Sequence, residues 1–290
     1  MLNQNYANLE YIIIDGGSSD GSAEIIRRYA NRLAYWVSEP DRGQAHAINK
    51  GLERASGEIV AYLNSDDLYL PGALATVADH FSRNPSTLWA AGGCIWFGNS
   101  AAYRSATMPV PRWRWVVNCP PAQPAVFWRR SLLEKHGMLD ESFHYCMDWE
   151  YWLRLRMAEI LCDSVMQPLA AFRTHPGSKT VAQNERFRQE ENRIRESYSA
   201  RLSRWERGLV RWRLRRVQAW RDLTNAIELA TRGNKREALA MAARVIRRTP
   251  SSLLSKSMLR FLRSMAELAH TPEIHDSKLE PEHAKADVHE

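Results

Sequence analysis

The sequence predicts an α/β fold: a Rossmann-like, largely parallel sheet flanked by helices, continued by an α-helical C-terminal extension. Three observations carry this expectation. Short β-branched runs alternate with amphipathic stretches of about 10–15 residues along the front of the chain, the pattern of crossover units. Acidic residues stand at the carboxyl ends of these runs, where such sheets bind ligands. Charge is segregated: residues 1–180 carry 17 basic and 18 acidic side chains, residues 181–270 carry 21 and 9, and residues 271–290 carry 2 and 6. The basicity belongs to one helical segment rather than to the front of the chain.

In order, "YIIID" (Tyr11–Asp15) reads as a buried strand and "GGSSDGS" as a tight turn. Ser22 opens an amphipathic helix, with Ser22 or Asp20 available to cap its first amides. "AYWVSEP" is a second strand and "GQAHAINKGLERAS" a second helix ending near Gly57. "EIVAYL" is a third strand, and "PGALATVADHFSRN" a third helix with Pro71 near its first turn. "TLWAAGGCIWFGN" reads as strand and turn. "PVPRWRWVVNCPPAQPAVFW" reads as a loop-rich, Trp-bearing region suited to substrate recognition. "RSLLEKHGMLDESF" is a short helix ending at Gly137, and "DWEYWLRLRMAEI" a longer one. These elements divide the chain into an α/β domain over residues 1–180, a basic helical extension over 181–270 and a polar, disordered tail over 271–290.

Bulk composition narrows the class. A hydrophobic fraction of 44% over 290 residues is enough for a sizeable core. The four cysteines lie far apart with no CxxC pair, which suits reduced thiols better than a disulfide framework or a zinc site. "MLNQNYANLE" has neither a basic start nor an apolar stretch, and no run approaches the roughly 20 apolar residues of a spanning helix. A cytoplasmic location is expected.

The chemistry centres on "GEIVAYLNSDDLYLPG". Two neighbouring carboxylates repel each other, so Asp66 and Asp67 at a strand end call for water or a cation. With Asn64 and Ser65 they offer the hard oxygen ligands that Mg²⁺ or Mn²⁺ prefers, with positions left open for substrate phosphates. A polar turn ahead of Pro71 explains the same residues. "IDGGSSDG" matches neither common phosphate-binding pattern, so ordinary turn chemistry competes with close approach of a nucleotide to its glycines.

Four collinear blocks, "YIIIDGGSSDGS", "SEPDRGQAHAINKGLERASGEIVAYLNSDD", "GMLDESFHYCMDWEYWLRL" and "FRTHPGSKT", resemble family 2 glycosyltransferases of the bacterial polysaccharide-assembly type over roughly residues 1–180. The resemblance implies a GT-A fold and hexosyltransferase-like, inverting, metal-dependent transfer from a nucleotide sugar to a glycan or lipid-linked hydroxyl. It implies that Asp15 reads the nucleobase. Asp41, Arg42, Gly43, Asn49 and Lys50 match the helix beside the nucleotide, where Arg42 or Lys50 would counter phosphate charge. Asp66 and Asp67 match the DXD-type motif that holds the Mg²⁺ or Mn²⁺ and the nucleotide. His175, with Arg173 or Lys179 beside it, would approach the metal or the leaving phosphate. Asp148 resembles the catalytic base, since an acceptor hydroxyl must lose a proton as it attacks. Met147 stands where the family often has an acid. Gln123, Trp149 and Glu150 fall on the acceptor side. Glu150 is a rival base, although in a helix it would point away from Asp148. Trp113, Trp115 and Trp128 would serve either as sugar-stacking rings or as core.

The same resemblance implies a first strand of the "SIVTPVYN" type and half a helix ahead of "NQNYANLEYIIID". The domain is therefore expected to be N-terminally truncated, leaving the edge beside Tyr11–Ile14 unpaired. A non-catalytic remnant that binds membranes or partners stays open as an alternative, as does a sugar nucleotidyltransferase.

In the basic segment, Leu202, Trp205, Leu209, Trp212 and Trp220 recur at near-helical spacing among arginines. Such a helix either lies on an anionic membrane surface or packs on the catalytic domain. No nucleic-acid reading motif accompanies the charge. "AIELATRGNKREALAMAARVIRRTP" resembles one tetratricopeptide unit, with Gly233, Ala238 and Pro250 at matching offsets, and is expected to form a helical hairpin.

Overall fold

The computed structural model describes residues 1–98, 102–104, 108–178, 184–250 and 256–269. Lys179 and the tail 271–290 lie outside them. The chain divides into two compact units, Met1–Val210 and Arg211–Glu290.

The first unit begins as the alternation predicts: β1 (Ile12–Asp15), α1 (Ser22–Arg28), β2 (Tyr35–Ser38), α2 (Gln44–Arg54) and β3 (Ile59–Val60). Asp20 caps the Ser22 amide from outside α1, at 3.1 Å. β1 pairs in parallel with β2, and Ile12, Ile13 and Ile14 are only partly buried. Among the described residues β1 has no other strand partner, so its second edge is open.

Next come β4 (Leu68–Tyr69), α3 (Ala73–Arg83), β5 (Trp89–Gly98), β6 (Ala102–Arg104), α4 (Arg112–Val117), β7 (Val126–Arg129), α5 (Ser131–His136), α6 (Met147–Met157) and β8 (Asp163–Thr174). α5 stops at Gly137, whose φ of 76° is a conformation that glycine adopts without a Cβ clash. The larger sheet runs β3-β7-β5-β8-β4, with β6 alongside β5.

This sheet corrects the expectation of a largely parallel one. Only β5–β8 is parallel within it; β3–β7, β5–β7, β5–β6 and β4–β8 are antiparallel. Crossover helices enforce parallel pairing at the front of the chain. After β3 the connections include a hairpin and long loops, which impose no such direction. β8 had no counterpart in the sequence reading because Pro168 interrupts it. Proline donates no ladder hydrogen bond, and here it sits at an irregularity opposite Gly93.

The Trp-rich region is also corrected. Trp115 and Trp128 are core residues at 1% and 0% exposure, not recognition rings. They gather with Trp89 and Trp152, whose rings stack at 5.3 Å, and with Tyr151. Trp113 is half-buried. α6 is buried almost all round, with Trp149, Glu150, Tyr151, Trp152, Leu153 and Leu155 inside, as expected of a core helix. None of the four cysteines forms a disulfide.

The first unit runs thirty residues past the expected boundary at 180 because α7 (Asn184–Ser199) packs into it through Ile194 and Tyr198, both buried. α8 (Arg204–Thr231) begins in this unit and continues into the second. There it packs with α9 (Lys235–Arg248) and α10 (Lys256–Ala269) around Leu223, Ala226, Ala238, Ala242, Met258 and Phe261. Gly233, at φ 89°, makes the turn of the expected helical hairpin. Among the described residues, no helix is long and apolar enough to cross a membrane.

Candidate functional site

Asp15 ends β1 and is buried. It accepts hydrogen bonds from the Gly17 and Ser18 amides and from the hydroxyls of Ser18 and Ser38 (2.6 Å for Ser38). The Ser18 and Ser38 hydroxyls hold its carboxyl below the usual range. Asp15 thus organises the "GGSSDG" turn with its own oxygens. Gly16 is needed beside it, since a Cβ there would sit 2.4 Å from Asp41 Oδ2. Asp41 in turn accepts the Gly43 amide at 2.7 Å, which shapes the start of α2. A Cβ on Gly43, at φ 122°, would lie 3.2 Å from His144 Nδ1. Two glycines therefore bring the β1 turn, the α2 entry and the approach to α6 together.

The other α2 candidates are structural ties. Asn49 is buried, donates to Leu139 O and Glu141 and accepts from the Leu139 amide. Lys50 pairs with Glu39 at 2.6 Å, and the exposed Arg42 pairs with Glu141 at 2.7 Å. Arg42 and Lys50 are thus each engaged with a carboxylate.

The aspartate pair splits into an inner and an outer member. Asp67 is 3% exposed; its Oδ1 accepts the Arg173 amide at 3.0 Å and its Oδ2 faces Asn64 Nδ2 at 3.3 Å. Burial, reinforced by the Asp66 charge, pushes Asp67 up to about 6 against those hydrogen bonds. Asp66 is partly exposed, and its Oδ2 lies 3.2 Å from His175 Nε2. The His175 loop is a closed turn, with the Ser178 amide donating to His175 O and the His175 amide to Ser178 Oγ.

Asn64, expected only as an oxygen donor beside the acids, is a hub of hydrogen bonds. Its Oδ1 accepts from Gln44 Nε2 at 2.6 Å, and its Nδ2 faces Gln123 Oε1 at 3.3 Å as well as Asp67. Gln123 reaches on to Tyr62 O at 2.8 Å. The signal was present in the sequence: Asn64 sits beside the acids, in the turn that precedes β4. Its partners come from 20 and 59 positions away, and only folding supplies those.

Asp148 lies in the first turn of α6, where its Oδ1 accepts the adjacent Trp149 amide at 2.7 Å; the N-cap of the helix is Cys146. Its charge also reaches Tyr62: burial raises the Tyr62 phenol first, and Asp148, then Cys119, Tyr69 and Asp67, raise it further. Trp149 and Glu150, expected on the acceptor side, are buried instead. Trp149 donates to Trp115 O at 2.6 Å, and Glu150 pairs with Arg154 at 2.7 Å and accepts from Tyr198 at 2.5 Å. Residues i and i+2 of a helix face different ways, which removes Glu150 as a rival base.

Among the described residues, Asp66 and His175 offer donor atoms suited to a divalent cation. Asp66 Oδ2 and His175 Nε2 are an oxygen and an imidazole nitrogen at the separation of adjacent ligands, both side chains more than a third exposed. Among the described residues no group of three or more His, Cys, Asp or Glu side chains converges on one point, so such an ion would leave positions for phosphate oxygens and water.

Comparison with known proteins finds glycosyltransferases. The Glycosyl transferase family 2 model matches residues 1–138. An uncharacterised glycosyltransferase of Mycobacterium tuberculosis is 32% identical over 160 residues, 54% of this chain and 60% of its own length. The cholesterol galactosyltransferase of Borreliella burgdorferi is 31% identical over 114 residues, 39% of this chain and 32% of its own. The chain thus spans less than two thirds of the length of these relatives. Among solved structures, the mannosyltransferase PcManGT from Pyrobaculum calidifontis, in complex with GDP-Man and Mn²⁺, superposes with a TM-score of 0.55 at 19% identity, covering 93% of this chain and 75% of the other. That likeness establishes the GT-A fold. The match over residues 1–138 and the glycosyltransferase relatives support a family 2 glycosyltransferase.

Proposed function

We propose that the chain transfers a sugar from a nucleotide-sugar donor to a hydroxyl of a glycan or lipid-linked acceptor, with inversion, in cell-surface polysaccharide assembly. The observation that carries the reading is the 3.2 Å contact of Asp66 with His175 beside the buried Asp67, with Asn64 joining Asp67 to Gln44 and Gln123. A relative that carries GDP-Man and Mn²⁺ supports the donor class and the metal.

In this reading Asp66 and His175 hold Mg²⁺ or Mn²⁺, and Asp67 braces them from beneath through Arg173 and Asn64. The ion supplies positive charge to the donor diphosphate. The Asp15 turn and Asp41 form the nucleoside end, with the glycines allowing close approach. Gln44, Asn64 and Gln123 present a polar wall to the sugar. Asp148 takes the proton of the acceptor hydroxyl as its oxygen bonds to the anomeric carbon. The anomeric C–O bond breaks on the opposite side, and its electron pair leaves with the nucleoside diphosphate. Attack opposite the leaving group inverts the configuration.

The test is Asp148→Asn. Calorimetric titration with GDP-mannose and UDP-N-acetylglucosamine in Mn²⁺ is expected to show donor binding unchanged, while transfer falls by about 10²–10⁴-fold. Equal binding with undiminished turnover would refute the assignment. A second reading is a non-catalytic binding protein, and absence of metal-dependent nucleotide binding would support it.

The acceptor side extends the proposal to a membrane surface. On α8, Trp205, Trp212 and Trp220 are 66%, 48% and 56% exposed among arginines, and Arg216 lies over the Trp212 ring at 5.0 Å. Amphipathic rings with interleaved cations suit an anionic lipid surface. Leu202 is buried and is not part of this face.

A further inference from the structure

Helix α7 lies beyond the stretch that carries the family resemblance, yet it grips the segment from which Asp148 projects. The Glu190 carboxylate accepts three successive backbone amides: His144 at 2.7 Å, Tyr145 at 2.8 Å and Cys146 at 2.9 Å. These amides end two positions before Asp148, at the entry to α6, whose N-cap Cys146 offers no side-chain cap. A helix entry with unpaired donors frays or reorients, and a carboxylate receiving several amides is a strong, charge-assisted anchor.

Further contacts follow along the same helix. Arg193 lies over the Phe143 ring at 3.6 Å and donates to Ser142 O at 3.3 Å. Ile194 is fully buried. Arg195 donates to Val117 O at 3.1 Å and lies over the Trp149 ring at 5.2 Å. Tyr198 donates to Glu150, which is itself paired to Arg154, and Arg154 donates to His136 O and Met138 O. Glu190, Ile194 and Tyr198 recur every fourth residue on one helix face, so the helix meets residues 142–150 on both sides of Asp148.

We infer that α7 is a strap for the catalytic segment and that Glu190 is a positioning residue for Asp148. The inference rests on the transferase reading above. A base must sit within hydrogen-bond reach of the proton it takes, and a misplacement of about 1 Å can cost up to about 10²-fold in rate. Glu190 touches backbone amides and acts only through the placement of Asp148. Its loss should therefore lower kcat and leave donor binding alone.

The test uses the full chain with Glu190→Ala and Glu190→Gln, each checked for folding by circular dichroism. Hydrogen exchange at residues 144–149 and steady-state turnover of GDP-mannose and UDP-N-acetylglucosamine in Mn²⁺ are the two readouts. Glu190→Ala should speed exchange at residues 144–146 at least tenfold. It should lower kcat about tenfold, with donor KM unchanged. Glu190→Gln, whose carboxamide oxygen still accepts, should recover much of both. If Glu190→Ala does not fold, Glu190→Asp, one methylene short, makes the same test. Unchanged exchange, or faster exchange with full kcat, would overturn the inference while leaving the transferase reading intact. Parallel loss of kcat and donor affinity would also overturn it. A wild-type chain that turns over neither donor would instead sink the transferase reading, and the positioning role with it.

Discussion

His175 Nε2 lies 3.2 Å from Asp66 Oδ2, a contact between residues 109 positions apart that joins the end of β8 to the loop before β4. An imidazole and a carboxylate this close form either an ion pair or two neighbouring ligands of a cation. Both side chains are more than a third exposed, so the ion pair alone stabilises little. His175→Ala is accordingly expected to leave the melting temperature nearly unchanged and to weaken Mn²⁺ affinity at least tenfold, read by calorimetry in the presence of GDP. Unchanged Mn²⁺ affinity would remove His175 from the metal site.

Asp67 gives the metal-free chain a pH signature. Its folded-state pKa, raised to about 6 by burial, stands above the ordinary carboxylate value, so the folded state binds a proton more tightly than the unfolded one. Its contribution is therefore most favourable below about pH 4 and is lost as pH rises through about 6. Urea midpoints from pH 4.5 to 7.5 should show Asp67→Asn gaining on the wild type as pH rises. A constant difference across that window would contradict the assignment.

Arg112 and Glu206 predict the opposite sign. Arg112 Nε and Nη2 meet the two oxygens of the buried Glu206 at 2.8 and 3.0 Å, and Ser203 adds its hydroxyl and amide. Arg112 first, then Ser203, pull Glu206 down to about 2. The pair's stability is present above about pH 4.5 and is lost as pH falls towards 2. Arg112→Ala should cost about 2 kcal/mol at pH 7, with the cost shrinking in acid, as measured by chemical denaturation. A cost that does not change with pH would mean packing, not charge, is what Arg112 supplies.

The exposed rings of α8 predict lipid binding. Trp212→Ala with Trp220→Ala should reduce co-sedimentation with phosphatidylglycerol vesicles several-fold, leave binding to neutral vesicles negligible and leave thermal stability nearly unchanged, since both rings are about half exposed. Equal sedimentation of the double variant would show that the rings do not insert.

What the sequence by itself determined is whatever depends on neighbours along the chain. β1, α1, β2, α2 and α3, the stop of α5 at Gly137, the turn at Gly233 and the acid Asp15 at a strand end all follow from periodicity, turn chemistry and the position of polar residues after apolar runs. Tertiary structure decided what those residues meet. The mixed direction of the large sheet, the strand through Pro168, the inward turn of Asp67 and the outward turn of Asp66 toward His175 were not legible locally. Nor were the burial of Trp115, Trp149 and Glu150, the hub at Asn64 and the grip of Glu190 on residues 144–146. Each depends on partners tens of positions away. A side chain's type sets which hydrogen bonds and burial it can satisfy, and only the closed chain sets which partner is in reach.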